Sequence, residues 1–341
     1  MVKTAIFGAS GYTGAALVEK VIQHPFLELN NLYVSTNSND AGKTIASLHP
    51  SLSHLSSHTL IAADESMLAD IANENDVILL ATPHEASHDW TPHLLNGKAR
   101  VFDLSGAFRL ASSEDYENFY GFKHQHTQWL DKAIYGLAEH NTDAIANAKL
   151  VAVPGCYPTA SLCGLLPLKK AGVLDSTIPP IINAVSGVSG AGRKAALSNS
   201  FCEVSLQAYG VFSHRHTPEI SQHLGQDVIF TPHLGNFKRG ILATITAKLS
   251  PDVTAEQVNE IFTQYYQNNP IVRLQATNPK LDDVVNTPFC DLHWHIDTSK
   301  GYIIVSSAID NVLKGAATQA IQCVNLSHGW PDQTGLVGGV A

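Results

Sequence analysis

Charged side chains are scarce in this sequence, 15% of 341 residues, and the few present are not predominantly basic: 21 Lys and Arg face 30 Asp and Glu, a formal net charge of −9. That balance repels phosphate backbones and anionic lipid, so neither nucleic acid nor a membrane surface is expected as a partner. Cysteine is sparse too. The five cysteines (Cys156, Cys163, Cys202, Cys290 and Cys323) are odd in number and lack C-x-x-C spacing. This argues against a disulfide framework and for reduced thiols in a cytoplasmic protein. There is no run of about 18 apolar residues to cross a bilayer. With an apolar run and a glycine cluster by residue 8, no signal peptide is expected, and repeats and low-complexity linkers are absent. What remains is a chain with 44% hydrophobic residues, able to build a large core, whose length favours two domains.

The first half reads as alternating strands and helices. Lys3 to Phe7 is apolar and partly β-branched, Gly8-Ala9-Ser10-Gly11-Tyr12-Thr13-Gly14 follows at once, and Leu17, Val18, Val21 and Ile22 then recur at helical spacing until Pro25. Further short apolar runs lie at Leu32-Tyr33-Val34, Val77 to Ala81, Arg100 to Leu104 and Leu150 to Val153. Continuous apolar runs are what strands buried on both faces of a parallel sheet require. An α/β, Rossmann-type doubly wound parallel sheet is therefore expected over residues 1–155. After residue 156 the pattern changes. Ile241, Ala243, Ile245, Ala247 and Leu249 alternate with more polar neighbours, Gly301 to Ile309 is a second strand candidate, and Thr254 to Asn268 a helix. This predicts an α+β, mostly antiparallel domain over 156–310 that serves catalysis and oligomerisation. A last periodic segment from Asp310-Asn311 to about Leu326 either closes that domain or returns, with 311–341, to complete the first.

A glycine-rich turn between a strand and a helix lets a pyrophosphate approach the backbone and the free N–H groups of the helix start. Gly8, Ser10, Gly11, Tyr12, Thr13 and Gly14 are accordingly expected to bind a dinucleotide, although the G-x-x-G-x-x-G spacing also fits a tight turn with no ligand. The second strand ends in Val34-Ser35-Thr36-Asn37-Ser38 with Lys43 beyond. Hydroxyls such as Ser35 and Ser38 and a lysine suit the 2′-phosphate of NADP(H), whereas NAD sites usually place a carboxylate there. Asp40 runs against this preference.

Cys156 follows Val151-Ala152-Val153-Pro154-Gly155 and precedes a helix-like stretch from Thr159 to Lys170. It thus stands at a strand's carboxyl end and near a helix start, where the dipole favours a thiolate. Pro167 predicts a kink or early stop in that helix. The other four cysteines are expected to be small buried apolar residues. A thiolate nucleophile needs an acid/base partner, and the best local source is Ser213-His214-Arg215-His216-Thr217-Pro218-Glu219. No Cys or His spacing there completes a metal site, so no metal is expected.

Together these motifs resemble one family over nearly the whole chain: the N-acetyl-γ-glutamyl-phosphate reductases. The likeness rests on the nucleotide loop, on Asp103-Leu104-Ser105-Gly106-Ala107-Phe108-Arg109-Leu110, on Tyr135-Gly136-Leu137-Ala138-Glu139, and on Pro154-Gly155-Cys156-Tyr157-Pro158-Thr159. It extends through Ser186-Gly187-Val188-Ser189-Gly190-Ala191-Gly192-Arg193, His214 to Ile220, and Asp310-Asn311-Val312-Leu313-Lys314-Gly315-Ala316. The resemblance implies NADPH-dependent reduction of N-acetyl-L-glutamyl 5-phosphate to the 5-semialdehyde in arginine biosynthesis, through a thioester. It implies Cys156 as nucleophile and His216 as acid/base, with His214 the alternative. Arg109 and Arg193 become substrate-anion contacts, while Ser186, Gly187 and Asn311 become cofactor contacts. Gly106-Ala107 departs from the family's Ala-Asp, which bears on Arg109. A homo-oligomer, dimer or tetramer, is expected. Competing readings are an aspartate-semialdehyde-type dehydrogenase, an NADP-binding regulator without turnover, and a Cys-His hydrolase, for which the glycine loop would have no use.

Overall fold

Parallel pairing in the first 155 residues follows from strands that are apolar on both faces. The computed structural model describes residues 1–338, which pack as two units: Met1–Gly155 with the segment from Ala316 onward, and Cys156–Gly315. In the first unit the elements run β1 (Val2–Phe7), α1 (Tyr12–Gln23), β2 (Leu27–Ser35), α2 (Ile45–Leu48), β3 (Leu60–Ala63), α3 (Leu68–Glu74) and β4 (Val77–Leu80). They continue through α4 (His84–Leu94), β5 (Arg100–Asp103), α5 (Ser113–Tyr120), β6 (Ile134–Tyr135), α6 (Thr142–Ala146) and β7 (Leu150–Ala152). The sheet order is β3-β2-β1-β4-β5-β7-β6 with parallel pairing throughout. The order reverses between β1 and β4, and such a switch point is where open α/β sheets take their ligands. The fold is the doubly wound α/β class that the apolar runs predict.

The second unit opens with α7 (Cys156–Lys170) and continues through β8 (Ile181–Ser186), β9 (Gln207–Ala208), α8 (His216–Leu224), β10 (Ile229–Leu234) and β11 (Ile241–Lys248). It then runs through α9 (Ala255–Tyr266), β12 (Val272–Leu274), β13 (Cys290–Asp297) and β14 (Tyr302–Ile309). Its mixed sheet has the order β12-β13-β14-β11-β8-β10-β9. The β11 neighbours pair antiparallel, as the period-2 pattern predicts, whereas β8 with β10 and β12 with β13 are parallel pairs that alternation does not distinguish.

Two local expectations are corrected. Helix α7 starts at Cys156 itself and continues past Pro167 to Lys170 without stopping. A proline withholds its N–H from the carbonyl four residues back. That carbonyl, of Cys163, instead accepts a hydrogen bond from the Tyr266 hydroxyl at 2.6 Å. The last periodic segment is not one helix from Asp310. Residues Leu313–Ala317 form a π-helical turn, with the Gly315 N–H donating to the Asp310 carbonyl at 2.9 Å. The regular helix α10 (Thr318–Ser327) follows and packs with α1 and α6 in the first unit.

Candidate active site

Of the three glycines after β1, two are required by the chain's own geometry. Gly8 has φ +76°, and a Cβ there would lie 2.2 Å from the Ala81 carbonyl oxygen at the end of β4. A Cβ on Gly14 would lie 2.3 Å from the Gly8 oxygen, so α1 could no longer pack onto the turn. Gly11 differs: its φ of −78° is open to any residue, and a Cβ would meet only the Gly8 oxygen at 3.5 Å. The start of α1 has no side-chain cap and no acidic residue in its first turn, and Tyr12 is exposed. A bare helix start beneath an open glycine fits a phosphate group. Ser10 turns its carbonyl to the His49 ring at 2.9 Å. At the end of β2, the exposed Ser35 accepts the Ser38 N–H through its carbonyl, and the Ser38 hydroxyl accepts from the Asp40 N–H. Lys43 Nζ pairs with Asp40 at 3.0 Å, which offsets the carboxylate that counted against a 2′-phosphate.

Arg109 is buried in this unit. Its Nε donates to the Val153 carbonyl and its Nη2 to the Leu104 carbonyl, each at 2.7 Å. The guanidinium therefore braces the β7 end from which the chain leads to Cys156. The Gly106 departure has a steric reason, since a Cβ there would lie 2.3 Å from the Tyr120 hydroxyl oxygen. Nearby, His88, Asp89 and His126 come close enough to hold a cation, a cluster that spacing in the sequence does not reveal. The Gln125 N–H donates to His88 Nε2, so Nδ1 carries the ring proton and faces Asp89 Oδ1 at 2.7 Å.

In the second unit, Cys156 is the first residue of α7 and His216 the first of α8, and these two helices pack against each other. Cys156 is partly exposed, while Cys163, Cys290 and Cys323 are buried. Cys202 is exposed, contrary to expectation, because it lies in an exposed stretch that belongs to neither sheet. The Tyr157 ring stands 5.7 Å from that of His214 and 5.9 Å from that of His216. Its hydroxyl donates to the His233 carbonyl at 3.0 Å and lies 3.2 Å from the Tyr209 hydroxyl. Burial pushes both phenols above their ordinary range, and negative charge on Cys156 acts in the same direction. Both remain neutral O–H groups beside the thiol.

The two histidines differ in surroundings. His214 Nδ1 accepts the backbone N–H of His216 at 3.1 Å, and burial, then the Arg215 charge, lowers its pKa to about 4. His216 is buried, with Nε2 4.0 Å from a carboxylate oxygen of the fully buried Glu219 one turn along α8. Glu219, Tyr157 and Tyr209 were not singled out from the sequence. The i,i+3 spacing from His216 to Glu219 was a usable signal, whereas nothing local marks Tyr209. Arg193 is exposed on the loop after β8. Ser186 is buried at the β8 end, and Gly187 is required because a Cβ would lie 2.6 Å from the Lys238 backbone. Asn311 Oδ1 accepts the Gly240 N–H at 2.7 Å, and its Nδ2 donates to the Ser189 hydroxyl at 3.0 Å. Its amide is thus held within this unit.

Comparison with known proteins adds independent findings. The family model described as "Semialdehyde dehydrogenase, NAD binding domain" matches residues 3–148, and "Semialdehyde dehydrogenase, dimerisation domain" matches 156–311. A protein of Alteromonas mediterranea named N-acetyl-gamma-glutamyl-phosphate reductase is 59% identical over 99% of this chain and 100% of its own length. One of the same name from Pseudoalteromonas atlantica is 60% identical over 99% and 98%. Among solved structures, aspartate semialdehyde dehydrogenase II from Vibrio cholerae superposes with a TM-score of 0.71 at 19% identity, covering 96% of this chain and 98% of that one. The Candida albicans aspartate semialdehyde dehydrogenase, solved with NADP, gives a TM-score of 0.68 at 13% identity, covering 96% and 98%. At such identities the likeness shows the fold alone.

Proposed function

The chain belongs to the N-acetyl-γ-glutamyl-phosphate reductases of the semialdehyde dehydrogenase family, and from that membership we propose an NADPH-dependent reduction of N-acetyl-L-glutamyl 5-phosphate through a thioester on Cys156. The protein is an oxidoreductase of amino-acid biosynthesis that uses a nicotinamide cofactor. The observation that carries the mechanistic reading is the pairing of two helix starts, Cys156 on α7 and His216 on α8, with the Tyr157 ring beside the histidine.

The glycine loop fits a dinucleotide: Gly11 leaves open space above an uncapped helix start. Gly8, Ser10, Gly11, Tyr12, Thr13 and Gly14 would hold the pyrophosphate, Ser35, Ser38 and Lys43 the 2′-phosphate, and Ser186, Gly187 and Asn311 the rest. When bound, the cofactor supplies a hydride to an acyl carbon. The chain's own residues do the remaining work. The Cys156 thiolate, favoured at the positive end of α7, attacks the acyl carbon; a C–S bond forms, the C–O bond to phosphate breaks, and phosphate departs. Arg109 and Arg193 are the proposed contacts for the anionic groups, Arg109 held from behind by Leu104 and Val153. The covalent step divides one difficult displacement into two and holds the acyl carbon in place.

His216 handles the proton. It protonates the oxygen as the thioester carbonyl is reduced, then takes the proton back as the C–S bond breaks and the thiolate leaves with the semialdehyde free. His214 is poorly suited to this, since its Nδ1 accepts the His216 N–H and its low pKa leaves no proton to give near neutrality.

The test is phosphate-dependent reduction of NADP⁺ by a panel of semialdehydes. N-acetylglutamate semialdehyde should be strongly preferred over aspartate semialdehyde, and Cys156→Ser should abolish turnover while leaving cofactor binding intact. Equal rates with the two aldehydes would overturn the substrate, and turnover by Cys156→Ser would overturn the nucleophile. An absence of turnover in wild-type protein that still binds NADP⁺ would favour a cofactor-binding regulator.

A further inference from the structure

Glycine 315 lies directly behind the thiol. A Cβ there would stand 2.7 Å from the Cys156 Cβ and 3.2 Å from its Cα. The backbone of the π-helical turn Leu313–Ala317 therefore forms a seat for the first residue of α7. π-Helical turns are rare and occur mostly as single turns, frequently at functional sites. Here the hydrogen bonds that hold the turn converge on one residue. The fully buried Asp310 accepts the Val312 and Leu313 N–H groups on Oδ1 at 2.8 and 2.9 Å, and its carbonyl accepts the Gly315 N–H. On the other side, Asp310 Oδ2 accepts the Asn286 N–H at 2.7 Å. Arg239 completes the arrangement: Nη2 donates to Oδ1 at 3.0 Å, and Nε stands 2.9 Å from Oδ2 in ion-pair contact without hydrogen-bond alignment. Asn311, the next residue, anchors the same turn to Gly240 and Ser189.

Resting on the reading of Cys156 as the nucleophile, we propose that the Asp310–Arg239 pair is a positioning element for that thiol, acting through the seat at Gly315. A buried carboxylate with three backbone and two guanidinium contacts fixes the turn, and the turn fixes the position of the first α7 residue against its neighbours. Neither Asp310 nor Arg239 needs to touch substrate for this. Because a displacement of the order of 1 Å at a reacting atom costs about 100-fold in rate, a small relaxation of the turn is felt in the chemistry before it is felt in binding.

The experiment uses the full chain in a Cys202→Ser background, which removes the exposed thiol. Arg239→Gln, Arg239→Lys and Gly315→Ala are compared with the parent for kcat, for KM of aldehyde and NADP⁺, and for the pH profile of Cys156 alkylation by iodoacetamide. Arg239→Gln is expected to lower kcat about 10- to 100-fold with the KM for NADP⁺ unchanged, and to move the alkylation profile. Arg239→Lys should recover part of the loss, since an ammonium keeps the charge beside Asp310 but not the two-pronged contact. Gly315→Ala should reproduce the defect without touching the pair, and combine with Arg239→Gln less than additively. Wild-type kcat and alkylation profile in Arg239→Gln would overturn the proposal, whatever its thermal unfolding midpoint. Loss of kcat with an unmoved alkylation profile would overturn it too, because the arginine would then act on substrate. If Arg239→Gln fails to fold, Gly315→Ala carries the test with the same two readouts. Failure of the nucleophile reading shows separately, as turnover by Cys156→Ser.

Discussion

A ring nitrogen that accepts a backbone N–H cannot also hold a proton, and this separates two histidines only two positions apart. With His214 Nδ1 taken by His216 N–H, replacing His216 by Asn is expected to lower kcat about 10² to 10⁴-fold, and replacing His214 by Asn to cost much less. Single-turnover rates measured from pH 6 to 9 check this, and the reverse order would reassign the acid/base. The glycines of the loop divide in the same manner. Gly8→Ala should destabilise the fold, by more than about 1 kcal/mol, because a backbone carbonyl occupies the space at positive φ. Gly11→Ala should fold with an unchanged melting point yet raise the KM for cofactor, and a melting point lowered as far as that of Gly8→Ala would count against Gly11 as a contact. At this scale Cys156 stood out as a candidate because its flanking prolines and glycine are sequence neighbours. Tyr209 was not, because it meets Tyr157 only through folding, and Cys202 was misread because burial is not a local property.

Elements carry their own consequences. The loop after α5 places His124 between ring neighbours, its Nε2 donating to the Ala107 carbonyl and its Nδ1 accepting the His126 N–H. Burial first, then the charges of His88 and His126, lower its pKa to about 4. The unfolded chain takes up this proton near pH 6.5 and the folded chain only near 4. The stability is therefore complete above pH 6.5 and is lost as pH falls toward 4, on the order of 3 kcal/mol from this ring. His214 acts with the same sign. Urea titrations at pH 7.5, 5.5 and 4.5 should show that decline, and His124→Gln should flatten it; an unflattened slope would assign the acid sensitivity elsewhere. Helix starts and stops were only partly legible. The strands β1, β4, β11 and β14 follow from local periodicity. The passage of α7 through Pro167 depends on Tyr266, 103 residues from the Cys163 carbonyl it satisfies, and the π-helical turn depends on Arg239, 71 residues from Asp310.

At the scale of the whole molecule, two expectations concern what the chain binds. With Lys43 neutralising Asp40 and hydroxyls at the β2 end, NADPH should give a much higher kcat/KM than NADH. Ser35→Asp should erode that preference, and equal values in the parent would refute this reading of the β2 end. The second unit matches a dimerisation-domain model and exposes Phe201 and Phe212 among other large apolar side chains, a surface composition suited to self-association. Sedimentation should report a dimer or tetramer at micromolar concentration, and a monomer would remove the oligomer from the account. Among the described residues, no helix is long and apolar enough to cross a membrane.

The order of motifs along the chain was sufficient by itself for the family and the doubly wound first sheet, and for proposing Cys156 among five cysteines, because each rests on residues that are neighbours in sequence or share a short period. Only the tertiary structure gave His214 and His216 different surroundings, set the Tyr120 hydroxyl against Gly106, and joined Asp310 and Arg239 beside the turn that seats Cys156. Those features depend on contacts between residues far apart in the chain, where distance and burial decide which nitrogen carries a proton and which backbone has room for a side chain.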